Sequence, residues 1–330
     1  MNIKLAAISI FTACWYWSSS INAVATQQLV GRFVDVMPIS LALILTSSQL
    51  IVGSILSIII IFVMMKLDFV DESAFAYYQN HSWFSQSDAI IGMLHYVGCV
   101  CTNIGFAYGS ASLVQVIKLR EPIETLILAV LVHIVRSQGK TDCSTMGEVV
   151  SLRQVFGTLV IIGGTSMLLG QNSMDLNSWS IVAALASGFC MSCRNVLKKS
   201  TAAKGKKLLP NMTESSKNDA ACIDIFMKGI VSFASITILA AISAIAVIFS
   251  TMAIGIISPK IVSSFFENPD QALTKAVLFH CFYNIASITV LSLTSVLLHS
   301  LLNVGKRIVN VLVGKFEHYL FRTLLVLFHC

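Results

Sequence analysis

Long runs of apolar residues follow one another along almost the whole chain, separated by short polar segments. A helix needs roughly 20 apolar residues to cross the hydrocarbon core of a bilayer. The pattern therefore predicts an all-α polytopic membrane protein with about nine to ten spans, the last of which, at 318–329, is short or incomplete. The other predicted spans lie near residues 5–25, 38–65, 88–108, 110–135, 154–171, 177–197, 225–251, 274–297 and 299–315.

A polar segment at 200–221 divides this pattern into two parts. It contains Lys, Gly, Ser, Asn and Pro210, a composition typical of a flexible connection. We therefore predict a first helical half at 1–199, with about six spans, and a second half at 222–330. Two such halves are typical of an inverted repeat, whose interface places a substrate site near the bilayer midplane.

Composition changes this picture little. The chain is 56% hydrophobic and 12% charged, whereas soluble proteins contain about 25% charged residues. The net charge of +6 does not indicate a nucleic-acid partner, because the basic residues concentrate in loops on one side of the predicted membrane. Lys and Arg are retained on the cytosolic side, so we predict that the amino terminus and residues 200–221 are cytosolic.

The first apolar run bears on localisation. It continues beyond the length of a signal-peptide core without a clear cleavage pattern, so we interpret it as a retained helix. We expect that no transit peptide precedes it. We expect the Golgi or another endomembrane, with the plastid envelope or an outer plastid membrane as the alternative.

Basic residues interrupt two of the apolar runs, where a cation costs at least about 2.5 kcal/mol near the bilayer centre. Lys118 and Arg120 lie in the fourth run, and Lys306 and Arg307 lie in the ninth. If both clusters face one cavity, they would bind an anion with more than one negative charge. The fork of an Arg and the point charge of a Lys together suit phosphate.

Acidic neighbours offer a structural explanation for the basic residues of the fourth run. Arg120 and Glu124 are four residues apart, a spacing that brings side chains together on a helix. Glu121 is close to Lys118 along the chain, and Pro122 follows it. A proline breaks or kinks a helix, and broken helices often mark transporter sites.

No acidic residue follows Lys306 and Arg307 before Glu317, beyond the predicted ninth span. We therefore expect their partner to be an external anion. As neighbours on a helix they are roughly 100° apart, so they should approach this anion from different sides.

Cysteine and histidine do not suggest a catalytic or metal site. Cys190 and Cys193 have the spacing of a metal or redox pair, but they lie in an apolar run without a second pair. An intramembrane enzyme could use His95, His133 and His280, yet no acid or nucleophile stands at useful spacing from them. We predict no enzymatic activity, no metal and no cofactor.

Several stretches resemble the triose-phosphate and sugar-phosphate translocator family, within the drug/metabolite transporter superfamily. The similarity extends from about residue 12 to residue 312, and the motifs are fairly specific when taken together. They lie at 98–103, 112–118, 121–122, 192–199, 282–284 and 303–307.

The resemblance implies roles for individual residues. A lysine of the family's fourth helix and a Lys-Arg pair of its ninth bind the substrate phosphate, and these positions match Lys118, Lys306 and Arg307. A threonine and a tyrosine of the site match Thr102 and Tyr283. The Lys-Arg pair favours sugar-phosphate translocators over nucleotide-sugar carriers.

Other positions depart from the family pattern. A site histidine of the family is replaced by Cys99, and a lysine of the first helix by Gln27 or Gln28. The phosphate end of the site is thus retained and the distal end has changed, so we treat Cys99 and Gln27 as specificity residues. The residues to which we assign structural roles are Arg120, Glu121, Pro122, Glu124 and Arg194.

The expected function is exchange of inorganic phosphate for a phosphorylated carbon compound, of the sugar phosphate, triose phosphate or phosphoenolpyruvate type. A nucleotide-sugar antiporter and a non-transporting membrane protein derived from a carrier are the alternatives. The expected partners are the substrate, phosphate and the lipid bilayer, and a homodimer stays open.

Overall fold

The computed structural model describes residues 3–33, 36–67, 86–136, 177–206, 219–267 and 271–328, with a few single positions between 156 and 164. These residues form α-helices, one 3-10 turn and short connections. The helices are α1 (Ile3–Arg32), α2 (Pro38–Lys66), α3 (Gln86–Tyr108), α4 (Ala111–Ile117), α5 (Glu121–Arg136), α6 (Ser178–Lys206), α7 (Asp219–Ala253), α8 (Pro259–Glu267), α9 (Gln271–Leu293) and α10 (Val296–Phe328).

Six of the described helices contain segments long and apolar enough to cross a membrane, namely α2, α3, α6, α7, α9 and α10. Large apolar side chains such as Phe62 and Phe249 point outward, as expected of a protein solvated by lipid. The polytopic helical class is therefore confirmed. The predicted spans at 5–25 and 110–135 are helical but are not among these six, and the span at 154–171 lies largely outside the described residues. The count of nine to ten spans and the inverted repeat stay predictions.

The fourth predicted span is not continuous. It consists of α4, a 3-10 turn at Lys118–Arg120, and α5. Pro122 is the second residue of α5, where its missing N–H is tolerated, but in an unbroken α-helix its ring would clash with the carbonyl four residues earlier, that of Lys118. The Glu121 N–H instead donates to the Lys118 carbonyl in the tighter 3-10 pattern. The helix breaks before the proline, and Lys118 and Arg120 lie in the break.

The end of the chain differs from the predicted pattern. The segments 299–315 and 318–329, expected as two spans, belong to the single helix α10. Neither Gly nor Pro, the residues that most often end a helix, occurs between Lys315 and Phe328, so the helix continues through this segment. Helices also extend into the predicted linker, since α6 ends at Lys206 and α7 begins at Asp219.

Helices from before and after the segment 200–221 pack directly on each other. The first helix, α1, packs mainly against α9 and α10, and α10 also packs against α4 and α5. In the same way α3, from before the segment, packs against α7, from after it, and also against α6. Charged residues of α4, α5 and α10 therefore meet inside the protein, although more than 180 positions separate Glu121 from Arg307 along the chain.

Candidate substrate site

A cavity of about 70 Å³ lies between α1, α3, α4, α5, α6, α9 and α10. A water needs roughly 10–15 Å³ on this scale, so the space suits several waters or a small anion. The charged residues that line it are Lys118, Glu121, Arg194, Lys306 and Arg307. Four formal positive charges and one negative charge give an excess of three positive charges in the lining, and all five side chains are buried.

Lys118 reaches the cavity from the 3-10 turn between α4 and α5. Its Nζ donates to the Thr102 hydroxyl at 2.5 Å. Thr102 in turn donates to the carbonyl of Gly98 at 2.8 Å and contacts the Ser187 hydroxyl at 2.6 Å. The threonine predicted to belong to the site therefore holds the lysine in place by accepting a hydrogen bond from its ammonium group.

Lys306 and Arg307 leave α10 in different directions. Lys306 Nζ lies 5.1 Å from the ring centroid of Trp15 and 5.6 Å from that of Tyr283, within the range of a cation–π interaction. The guanidinium of Arg307 instead contacts Gln115 and Glu121. All three predicted phosphate ligands line the same cavity, as does Tyr283. Their role in binding a substrate stays a prediction.

The expectation that Arg307 lacks an acidic partner inside the protein is wrong. Its Nη2 donates to Glu121 Oε2 in a short ion pair, and both side chains are buried. Asn303 Nδ2 donates to the same oxygen at 2.5 Å, while Arg307 Nη1 donates to Gln115 Oε1 at 3.4 Å. Glu121 thus pairs with a cation of another helix, and among the described residues it forms no ion pair with Lys118, its neighbour in sequence.

The predicted pair of Arg120 and Glu124 is confirmed. Their side chains are 2.7 Å apart, and that of Arg120 is 39% exposed. Arg120 Nη2 also donates to the Leu185 carbonyl at 3.2 Å. Neither residue lines the cavity, and the structural role assigned to them stays a prediction.

Arg194 lies in the wall of the cavity, although its predicted role was structural. It is buried in α6, and its Nε and Nη2 donate to Asn195 Oδ1 at 3.1 and 2.8 Å. Its Nη1 lies 2.8 Å from His95 Nδ1. Among the described residues, no ion pair with a carboxylate is formed by this guanidinium. The sequence contained a signal for this position. An Arg in an apolar run, without an acid one turn away, has a cost of burial in the membrane like that of Lys118 and therefore indicates a functional site.

The two predicted specificity residues lie outside the cavity lining. Gln27 Oε1 accepts from the backbone N–H of Ala111 at 2.7 Å, so this side chain supports the first turn of α4. Gln28, the other candidate for this position, is exposed. Cys99 is buried among histidines. A direct role of either residue in specificity therefore stays a prediction.

Cys99 lies close to two of the histidines that the sequence suggested for an enzyme. Its sulfur is 3.8 Å from His95 Nδ1 and 3.9 Å from His280 Nε2. The expectation that no nucleophile stands near these histidines is therefore wrong, because the folded chain brings the Cys99 thiol close to both. However, Arg194 contacts the His95 nitrogen that faces the sulfur, so a metal cation at this position would have to displace a guanidinium. The side chain of His133 lies outside the described residues.

The chain belongs to the triose-phosphate transporter family, whose model matches residues 6–316. The comparison with curated proteins gave no match. The resemblance seen in the sequence motifs is thereby confirmed. The chain is a multi-pass membrane protein of a transporter family, and this family suggests a solute that carries phosphate.

Proposed function

We propose that the protein is an antiporter that exchanges inorganic phosphate for a phosphorylated carbon compound by alternating access. The observation that carries this proposal is the excess of buried positive charge around one small cavity. Lys118 and Lys306 supply point charges, while Arg307 supplies a planar fork that can bind two phosphate oxygens. Helices from both sides of the segment 200–221 contribute these groups, so a bound phosphate would link the two proposed halves, 1–199 and 222–330.

Exchange follows from the charges in the empty site. Among the described residues, neither Lys118 nor Lys306 forms an ion pair, and only a hydroxyl or aromatic rings contact their ammonium groups. Moving an empty, closed site across the membrane would keep these cations without a counter-ion, at several kcal/mol for each. Bound phosphate supplies the missing negative charge, so the loaded carrier reorients more easily.

The second candidate, a nucleotide-sugar antiporter, derives from the changes at Gln27 and Cys99. The size of the cavity favours the first candidate, because pockets for larger ligands have volumes of roughly 300–1,000 Å³ and this one has about 70 Å³. The same exchange assay separates the two.

In phosphate-loaded liposomes, we expect the purified protein to take up labelled phosphate at least about tenfold faster than in liposomes without internal substrate. The panel of internal substrates comprises inorganic phosphate, triose phosphate, phosphoenolpyruvate, pentose and hexose phosphates, and nucleotide sugars. Stimulation by nucleotide sugars alone would favour the second candidate. Equally fast uptake into empty liposomes would rule out obligate exchange, and loss of all exchange would favour a non-transporting descendant of a carrier.

We also propose that the amino terminus and residues 200–221 face the cytosol of an endomembrane such as the Golgi. A cysteine introduced as Thr213→Cys should react with an impermeant maleimide in sealed vesicles whose cytosolic side faces outward. The matched variant Ser264→Cys, at an exposed position of α8, should react only after the vesicles are opened. Each signal is taken relative to the unsubstituted protein, and the reverse pattern of labelling would invert the topology.

A further inference from the structure

The wall that α1 contributes to the cavity has polar groups that the phosphate-binding role does not use. Trp15, Ser19, Asn22 and Ala23 line the cavity. Their spacing places them on one face of the helix, since residues three, four, seven and eight apart lie on the same side. The indole of Trp15 lies beside Lys306, so this wall begins next to the proposed phosphate position.

Some polar groups on this side of α1 serve helix packing. Ser19 Oγ accepts from Asn310 Nδ2 at 3.0 Å, and Ser20 Oγ donates to Asn310 Oδ1 at 2.8 Å. These bonds join α1 to α10, so the hydroxyl groups of both serines have partners inside the protein and need no ligand.

Trp15 and Asn22 differ from these serines. The Trp15 side chain is 1% exposed and Asn22 is 8% exposed, yet within the described part of the chain neither Trp15 Nε1 nor Asn22 Oδ1 has a hydrogen-bond partner. Buried polar groups are nearly always paired. An indole N–H only donates and an amide oxygen only accepts, so Trp15 suits an oxygen that accepts and Asn22 suits a group that donates. A hydroxyl can do either, whereas a fully ionised phosphate oxygen cannot donate to Asn22.

The orientation of Trp15 is fixed by its neighbours. Its ring is stacked on that of His299, with centroids 4.8 Å apart and planes 14° apart. His299 is held by a hydrogen bond between its Nε2 and the Ser287 hydroxyl at 3.1 Å. The indole is therefore positioned before a ligand arrives, which reduces the entropy lost on binding.

From this geometry we propose that Trp15 and Asn22 form a hydroxyl-binding subsite for the carbon part of the phosphorylated substrate. The proposal rests on the proposed function, because the phosphate held by the cations places the carbon part against α1. Ala23, the residue after Asn22, also lines the cavity and has a small side chain. The subsite selects phosphate esters that carry hydroxyl groups over esters of equal length that lack them.

The test compares glycerol 1-phosphate with propyl phosphate, two three-carbon phosphate esters that differ in their hydroxyl groups. Binding is measured as the rise in unfolding temperature of the detergent-solubilised protein over a ligand titration, and exchange is measured in liposomes. The wild-type protein should bind glycerol 1-phosphate more tightly. In Asn22→Leu and in Trp15→Phe, which keeps an aromatic ring but removes the N–H, this preference should fall by about 3- to 10-fold.

The matched control is Ser18→Ala, also on α1. Ser18 is buried, bonds to the Cys14 carbonyl at 2.6 Å and does not line the cavity, so its loss should leave the preference as in the wild type. An equal affinity of the wild-type protein for both esters would overturn the subsite, as would an unchanged preference in both variants. If Asn22→Leu does not fold, Trp15→Phe and the wild-type comparison decide. Phosphate exchange by the wild-type protein tests the proposed function separately, because the preference is measured by binding.

Discussion

Replacing Arg307 with Lys is expected to reduce phosphate exchange by about 10- to 100-fold. The substitution keeps the positive charge but removes the planar fork. In the structure this fork already divides its donors between Glu121 and Gln115, and an ammonium group cannot span the same positions. A phosphate ion would lose a two-point contact while the long-range electrostatics stay nearly constant. The measurement is the initial rate of phosphate exchange in liposomes, normalised to the amount of protein inserted.

Arg120→Lys is the matched control, because it makes the same chemical change outside the cavity. Arg120 is 39% exposed and pairs with Glu124, four residues later, an interaction worth about 0.3–0.5 kcal/mol. Exchange should stay within about twofold of the wild type. Lys306→Arg should also be poorly tolerated, because the ammonium fits between the rings of Trp15 and Tyr283. If Arg307→Lys transports normally while Arg120→Lys abolishes exchange, the wrong arginine has been assigned to the substrate.

Local sequence rules predicted the features that depend only on residues close together in the chain. The pair of Arg120 and Glu124 follows from their spacing of four residues, and the break near Lys118 follows from Pro122. The convergence of Lys118 with Lys306 and Arg307 could also be anticipated, because cations in apolar helices need an interior site. These predictions required only the period of the helix and the cost of charge in a membrane.

Contacts between helices could not be predicted in this way. Glu121 was placed with Lys118 because the two are close in sequence, but its buried partners are Arg307 and Asn303 on α10. Which helix faces which depends on the packing of the whole bundle, and no periodicity of a single segment contains that information. Cys99 and His280 meet for the same reason. The position of Arg194 in the cavity wall could have been predicted from the sequence, because this residue lacks an acidic neighbour on its own helix.

The pairing of Glu121 with Arg307 makes a second large effect predictable. In Glu121→Gln the guanidinium of Arg307 stays buried without its carboxylate, and breaking a buried ion pair in this way costs about 3–5 kcal/mol. The variant should therefore unfold at a clearly lower temperature than the wild type in detergent without phosphate. Glu124→Gln is the matched control, because its partner Arg120 is partly exposed and the loss should be below about 1 kcal/mol.

Phosphate should then rescue Glu121→Gln more strongly than it stabilises the wild-type protein. In the wild type, the Glu121 carboxylate lines the cavity and occupies Arg307, so an incoming anion meets both a competitor for the guanidinium and a like charge. Glutamine removes both, and bound phosphate supplies the missing counter-ion for Arg307. The measurement is the rise in unfolding temperature over a phosphate titration, which reports affinity through mass action.

In the double variant Glu121→Gln and Arg307→Gln, the unpaired charge of Arg307 is gone, so part of the stability should return and the additional stabilisation by phosphate should disappear. An equal response of Glu121→Gln and wild type to phosphate would mean that Arg307 binds Glu121 alone and not the substrate.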